Sequence, residues 1–508
     1  MTTTTDPAGR ASEAAKYGVE LNGINVIAEE ERKGTPRDLF WPWCAANISV
    51  LAIPYGAFIL GFGVSFWQAA IAGVVGVVLS FSLCGVVALA GKRGSAPTMV
   101  LSRAAFGVTG NAVPSFLSWL LLVGWETVLV SLSTLATSTV FTELGWGGGT
   151  TTKIVAFLVT ASLVIGAGVL GFDVIMRLQT FITLATAVLT VAFIAITVDE
   201  VSWDSVSGLE AGSTQSFVGA LALVATGFGV GWANTAADYS RYLPRSASSR
   251  GVFGWTTLGG AIAPVFLVLY GILLVASVDG LADAIFTDPI GALTTLLPTW
   301  FLVPFAIVAV LGLIGGAVLD IYSSGLALMT LGVKVPRPVA AAIDGVIMVL
   351  GAIYVVFVAD DFITPFQGFL ITVGVPIAAW IGVFVADLLL RHAPYADAEL
   401  YDPRGRYGAF RLPGVALIAL GTALGWGLVT TIAPDESWLS WQGYLLDPFG
   451  LGGKEGAWAF ANLGVFVSFA IGFVGWLVLG RSTVRRQEAA AIPSRATTPT
   501  SASTPTSQ

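Results

Sequence analysis

Apolar stretches about as long as a lipid bilayer is thick recur along the whole chain, with polar connections between them. A stretch of about 20 residues with almost no charge is the length an α-helix needs to cross hydrocarbon. Inside lipid every backbone amide must be satisfied within its own element, so such stretches fold as helices. About twelve spans are predicted, near residues 39–63, 66–90, 108–141, 153–171, 175–197, 216–239, 252–277, 299–330, 338–358, 363–390, 413–432 and 457–480. They are numbered 1 to 12 below. Composition agrees: of 508 residues 55% are hydrophobic and 11% charged, against about 25% charged in soluble domains. The chain is predicted to be an all-α polytopic membrane protein.

The basic residues orient it. With the N-terminus placed in the cytoplasm, every Lys and Arg falls on that side except Lys153 and Lys454, whereas the opposite loops carry acids such as Asp199, Glu200, Asp279 and Asp283. This is the positive-inside distribution, and it puts both termini in the cytoplasm. Residues 1–38 form a polar arm without the apolar core of a signal peptide. Residues 39–480 form the membrane domain. Residues 481–508, rich in Ser, Thr and Pro towards the end, read as a disordered tail.

Two spans are interrupted. Span 6 continues into GFGVGWANTAADYSRYLP (227–244), where Gly227, Gly229 and Gly231 alternate. Each glycine inside a helix costs about 1 kcal/mol relative to alanine, so a break is expected there. Span 1 carries Pro54 followed by Gly56 in its middle, and a mid-helix proline removes an amide donor and clashes with the preceding turn. Interrupted spans at corresponding places in two halves of a chain point to an inverted-repeat transporter with its site at the breaks. Packing through small residues and an ordinary proline kink are the alternatives.

Intramembrane acids mark candidate functional positions. Glu126 lies near the middle of span 3 and Asp320 about ten residues from the cytoplasmic end of span 8. Trp125 is rotated about 100° from Glu126 on the helix, so only one of the two can face a central cavity. Asp344 and Asp387 lie nearer the cytoplasmic ends of spans 9 and 10, where a structural role is expected. Asp238 and Arg241 at the exit of span 6 could pair with each other or with a neighbouring loop. One histidine and two cysteines leave no metal or haem motif. No catalytic constellation is present, and no soluble output domain that a sensor would carry.

The motifs taken together resemble the nucleobase–cation symporter family, in its purine/cytosine permease branch. GWANTAADYSRYLP is similar to its span-6 signature, WCAAN (43–47) to its first span, KRGSAPTMVLSRAAFG (92–107) to its loop before span 3, and YSSGLAL (322–328) to the end of its span 8. The resemblance implies a LeuT-type core of two inverted five-helix repeats, here about 39–197 and 216–390, with two extra helices in 413–480. It implies import, through the plasma membrane, of a planar nitrogen heterocycle such as cytosine or a purine by cation symport, with no cofactor beyond the coupling ion, H+ or Na+. The partners implied are that heteroaromatic solute and the bilayer, with no nucleic acid. The substrate-binding set carried over is Trp125, Glu126, Phe228, Gly229, Trp232 and Asp320, with Phe228 and Trp232 as alternative span-6 aromatics. Asp320, Asn47 and Gly315 are the cation-coupling candidates. The chain departs from the pattern where Leu129 replaces the usual Asn or Gln and where Ile314 and Gly315 replace hydroxyls of sodium-coupled relatives. That favours proton coupling through Asp320, with Glu126 second. A same-fold carrier for an amino acid or amine, or sodium-coupled uptake of an allantoin, hydantoin or vitamin precursor, is the rival reading.

Overall fold

The computed structural model describes residues 22–359, 362–431 and 438–490. All regular elements among them are helical. Nine helices are long and apolar enough to cross a membrane, and two bent pairs bring the described residues to eleven. The shorter apolar helix Leu412–Trp426 stands where span 11 is expected. Span 2 is Phe66–Gly94, span 3 Ala112–Glu143, span 4 Thr150–Leu170, span 5 Phe172–Thr197 and span 7 Ser249–Ser277. Span 8 is Thr299–Thr330, span 9 Arg337–Phe357, span 10 Ile363–Leu390 and span 12 Leu463–Leu479.

Local chemistry sets several of these ends. Ser65 and Gln68 make a reciprocal capping box that starts span 2: Gln68 Oε1 accepts from the Ser65 amide at 3.0 Å, and Ser65 Oγ accepts from the Gln68 amide at 3.4 Å. Pro298 and Pro336 stand just before spans 8 and 9, where a missing amide hydrogen costs nothing in the helix ladder.

The spans sort into two packed groups. Spans 1, 2, 6 and 7 pack on one another, and spans 3, 4, 8 and 9 form the other group, whose tightest pairing joins spans 3 and 8. Span 10 packs mainly on spans 11 and 12 and also touches spans 2, 3 and 6. Rows of exposed apolar residues, such as Leu184, Val188 and Val191 on span 5 and Val346, Leu350 and Tyr354 on span 9, leave those helices facing outward, as lipid contact requires.

Two expectations are corrected. The break in span 1 is not at Pro54 and Gly56 but at Ile48–Ser49, between Pro36–Asn47 and Val50–Leu60, which meet at 65°. Pro54 instead precedes the helix Tyr55–Leu60, a first-turn position where proline is tolerated. Gly56 serves packing, since a Cβ there would lie 2.2 Å from the Gly271 carbonyl carbon of span 7. The tail is ordered at its start: Arg481–Ala489 is a helix whose Gln487 donates to the Ala104 carbonyl at 3.0 Å. Residues from 491 onward lie outside the described residues.

The polar arm is also docked where it is described. Gly23 O accepts from Arg241 at 2.8 Å, Ile27 N donates to Ser95 O at 2.8 Å, and Lys33 N donates to Tyr242 O at 2.9 Å. The arm thereby lies across the face of the bundle that holds the basic loops.

Candidate substrate and ion site

At the first break Ile48 leaves helical geometry with ψ at 65°, and Ser49 is extended. Ser49 Oγ accepts from the Leu51 amide at 3.3 Å and restarts the chain as a short 3-10 turn. Span 8 approaches here through glycine. A Cβ on Gly312 would lie 3.1 Å from Ser49 Cα, and one on Gly315 would lie 2.9 Å from the Ala45 carbonyl oxygen. A side chain at Gly315 would force the two backbones apart, and one at Gly312 would be tighter than ordinary contact.

The second break is a π-turn over Thr226–Val230 with Phe228 out of helical geometry at φ −116° and ψ −111°. Its freed backbone groups face span 2. The Gly229 amide donates to Ser80 Oγ at 3.0 Å, and Cys84 Sγ lies 3.1 Å from the Gly229 carbonyl. Gly229 therefore answers to span 2 and does not border the cavity between the breaks. A Cβ there would lie 2.1 Å from the Ser80 backbone.

Between the breaks lies a cavity of about 50 Å³, bordered by Asn47, Tyr55, Trp125, Leu129, Phe228 and Trp232 among others. Tyr55 and Phe228 lie 4.6 Å apart by ring centroid, and Trp232 meets Trp43 edge-on at 5.8 Å. Trp125 stands beside Gly231, where a Cβ would lie 3.1 Å from its indole nitrogen. The Asn47 amide nitrogen is committed to the Trp43 carbonyl at 2.8 Å, which leaves its oxygen as an acceptor. Tyr55 Oη is buried without a hydrogen-bond partner. The volume holds a few solvent molecules and is below the roughly 150 Å³ of a cavity that takes benzene. A ring can enter only if a side chain such as Leu129 or Trp232 moves.

A second cavity of about 650 Å³ lies on the face away from the docked arm, lined by Phe58, Leu223, Phe286, Phe366 and Gln367 and by the segment before span 12. Phe366 also meets Trp125 edge-on at 5.7 Å, so it stands between the wide cavity and the small one. On the opposite face Phe172 and Tyr242 stack at 4.2 Å beneath the docked arm.

Of the residues expected at the site, Trp125, Phe228, Trp232 and Asn47 come together. Glu126 is fully buried on another side of span 3, with Asp344, Asp320 and Ser324 as electrostatic neighbours. Asp320 was expected beside the substrate. It shares its helix face with Gly312 and Gly316 but lies eight residues beyond Gly312, about 12 Å further along the helix. There it neighbours Tyr239, whose hydroxyl donates to Leu319 O at 2.8 Å. Gly315 turns its carbonyl to Gln179 of span 5, whose Nε2 donates to it at 2.7 Å.

The span-6 exit is a staple. Asp238 accepts from the amide and hydroxyl of Thr98 at 2.7 and 2.9 Å, and so pairs with the loop before span 3. Ser240 donates to Ala88 O at 2.7 Å, and Arg241 to Tyr322 Oη at 2.8 Å. Sequence reasoning missed Tyr55 and Gln179. Tyr55 sits between the two residues that read as helix breakers, and Gln179 is one polar residue among several on span 5, beside Arg177, Thr180 and Thr183.

A family model described as permease for cytosine/purines, uracil, thiamine, allantoin matches residues 26–441. A Bacillus subtilis (strain 168) protein named for purine–cytosine permease activity, YxlA, is 26% identical over 77% of this chain and 84% of its own length. The purine-cytosine permease FCY21 of Saccharomyces cerevisiae is 27% identical over 51% of this chain and 48% of its own. Among solved structures, Mhp1, a nucleobase-cation-symport-1 family transporter in a closed conformation with bromovinylhydantoin bound, superposes with a TM-score of 0.66 at 18% identity. That superposition covers 94% of this chain and 97% of Mhp1. A Na+-coupled sialic acid symporter in an outward-open state follows at 0.59 and 11% identity, over 93% and 95%. These likenesses establish the fold as the Mhp1 and LeuT type.

Proposed function

The chain belongs to the family of permeases for cytosine/purines, uracil, thiamine and allantoin, and we propose that it imports a nucleobase or related planar nitrogen heterocycle by cation symport. The observation that carries this reading is the cavity at the two helix breaks, bordered by Trp125 of span 3 and by Phe228 and Trp232 of span 6. Flat rings stack on such walls for about 1–3 kcal/mol per face. Asn47 and the unpartnered Tyr55 hydroxyl supply a hydrogen-bond acceptor and a donor for the heterocycle's edge. The relatives named for purine–cytosine transport and the hydantoin held by Mhp1 support the same solute class. Residues 39–480 then form the transporter unit, with inverted repeats about 39–197 and 216–390 and both termini in the cytoplasm. The wide cavity faces outside and the docked arm covers the inside.

A proton suits the chain better than sodium as the coupling ion. Sodium requires several oxygen ligands. Ile314 and Gly315 bring only backbone oxygens from span 8, and Gln179 already donates a hydrogen bond to the Gly315 carbonyl.

The test is counterflow in proteoliposomes with radiolabelled cytosine, adenine, uracil and allantoin, with an amino acid and an amine alongside. Exchange of at least one heterocycle, and of neither control, is expected. Exchange of the amino acid or amine alone would overturn the reading. Uptake should survive replacement of sodium by choline and rise as the outside is acidified.

A further inference from the structure

We propose that Glu126 and Asp344, joined through the Ser324 hydroxyl, form one proton-carrying site between spans 3, 8 and 9. Glu126 and Asp344 are neighbours there, with Asp320 as a further charge neighbour of Glu126, and the surroundings of the first two differ. Asp344 is fully buried, yet it accepts from Trp119 Nε1 at 2.7 Å and from Ser324 Oγ at 3.0 Å. Two donors are what an ionised carboxylate needs in a buried place. Glu126 is equally buried, and its polar neighbour is the Ser324 hydroxyl, which is turned to Asp344 and leaves both Glu126 oxygens without a hydrogen bond of normal geometry. A bare carboxylate in that setting is far costlier than the neutral acid.

The neighbours of Glu126 supply no compensating cation. Span 8 offers Asp320 and span 9 offers Asp344, while the one buried cation of span 9, Arg337, stands two turns before Asp344 with its guanidinium on the Gly168 and Val169 carbonyls and the Tyr322 ring. The only charged residue of span 4 is Lys153 at its outer end, and Asp387 of span 10 is bound to Arg391 at 2.9 Å. Among the described residues no three His, Cys, Asp or Glu side chains are grouped to hold a metal ion. A proton fits the pocket, since it neutralises a carboxyl that has no cation beside it.

Ser324 makes the connection. Its hydroxyl donates to Asp344, so its oxygen remains free to accept from a protonated Glu126. Transfer is balanced: Glu126 gives its proton to Ser324 Oγ as the Ser324 hydroxyl proton passes to Asp344. Glu126 is left ionised and Asp344 neutral. The depths suit a path inward. Glu126 stands 14 residues from the basic-face end of span 3, Asp320 ten from that end of span 8 and Asp344 seven from that of span 9, or about 21, 15 and 10 Å along their helices. Glu126 also follows Trp125, so the proton is held on the residue next to the stacking wall. Asp344 thereby gains a role beyond the structural one expected of it.

This proposal rests on the cation-symport reading, and the experiment separates the two. Infrared difference spectra of the purified full chain in lipid, stepped between about pH 5 and about pH 9, report the carbonyl stretch of protonated carboxylic acids without any substrate. A band present at neutral pH in the unaltered chain is expected to vanish in Glu126→Gln and to persist in Asp320→Asn. In Ser324→Ala and Asp344→Asn the band should remain, while accumulation of labelled cytosine or adenine driven by a proton gradient falls more than tenfold and exchange stays near normal. Asp344→Glu should recover part of the accumulation. A band unchanged by Glu126→Gln, or lost in Asp320→Asn, overturns the site even if the protein transports heterocycles. A chain that exchanges no heterocycle but loses the band in Glu126→Gln keeps the proton site and overturns the transport reading instead.

Discussion

Span 1 opens at Ile48–Ser49 and turns by 65° across the gap, whereas span 6 kinks at Phe228 within a single π-turn. The two breaks also satisfy their freed backbone groups differently. Span 1 caps itself, since Ser49 accepts the Leu51 amide from within the same span. Span 6 borrows its partners, with Ser80 and Cys84 of span 2 meeting the amide and carbonyl of Gly229. A self-capped break can change its angle without disturbing a neighbour. A break held by another helix moves only together with that helix. Span 1 is thus the freer of the two hinges, and spans 2 and 6 act as a unit.

The largest effect should come from filling the contact that makes them a unit. In Gly229→Val the new Cβ would lie 2.1 Å from the Ser80 backbone and 2.3 Å from the Phe81 amide, atoms that cannot move aside. Overpacking of this kind costs about 1–3 kcal/mol or more. Uptake should be abolished and the melting temperature in detergent should fall, although the chain still inserts. A variant with normal uptake would show that spans 2 and 6 separate freely.

Next comes the wall shared by both breaks. Trp125→Ala removes one stacking face, worth about 1–3 kcal/mol, so affinity for the transported ring should weaken by about five- to 140-fold, at about 1.4 kcal/mol per decade. Trp125 also meets Phe366 and Phe369 edge-on, so Trp125→Phe is the control and should keep most of the affinity. Equal binding by the Ala variant would remove Trp125 from the site.

How far these features could be read from the chain depended on their periodicity. The helical class, the spans and the existence of two interruptions were legible, because each leaves a run or a gap in an apolar pattern. Trp125, Phe228, Trp232 and Asn47 were found because they sit at the interruptions or in motifs. The position of the first break was misread, since Pro54 is a strong signal for a broken helix while Ile48–Ser49 carries none. Partners across spans were not legible either. Nothing local to Gly229 announces Ser80, and nothing local to Asp320 shows that it lies about 12 Å along span 8 from the cavity. Contacts between elements decide such cases.

The contrast between borrowed and internal caps predicts a smaller, graded pair. Ser80→Ala leaves the Gly229 amide without its partner, at a cost of about 1–3 kcal/mol for a buried donor. Ser49→Ala loses a cap that is worth about 1 kcal/mol but lies beside the cavity. Ser80→Ala should lower the melting temperature more, and Ser49→Ala should change substrate affinity more. Thermal unfolding and uptake measured on both variants check the order, and the reverse order would mean that span 6 is the freer hinge.

The smallest effect is expected at the residue that the sequence marks most strongly. Pro54 stands at the start of Tyr55–Leu60, and its carbonyl accepts from the Ala57 amide at 2.9 Å and the Phe58 amide at 3.3 Å, bonds that alanine would keep. Its ring restricts the unfolded chain, so Pro54→Ala should cost about 0.4–1 kcal/mol in stability by that route alone. The bend at Ile48–Ser49 should persist, because it depends on the Ser49 cap and on the close approach of Gly312, neither of which involves the proline. Initial uptake rates should therefore stay within about twofold, in line with a small change in free energy. If Pro54→Ala abolished transport while the chain remained folded, the hinge of span 1 would have to be placed at the proline after all, and the contrast between the two breaks would collapse into a pair of glycine- and proline-driven kinks.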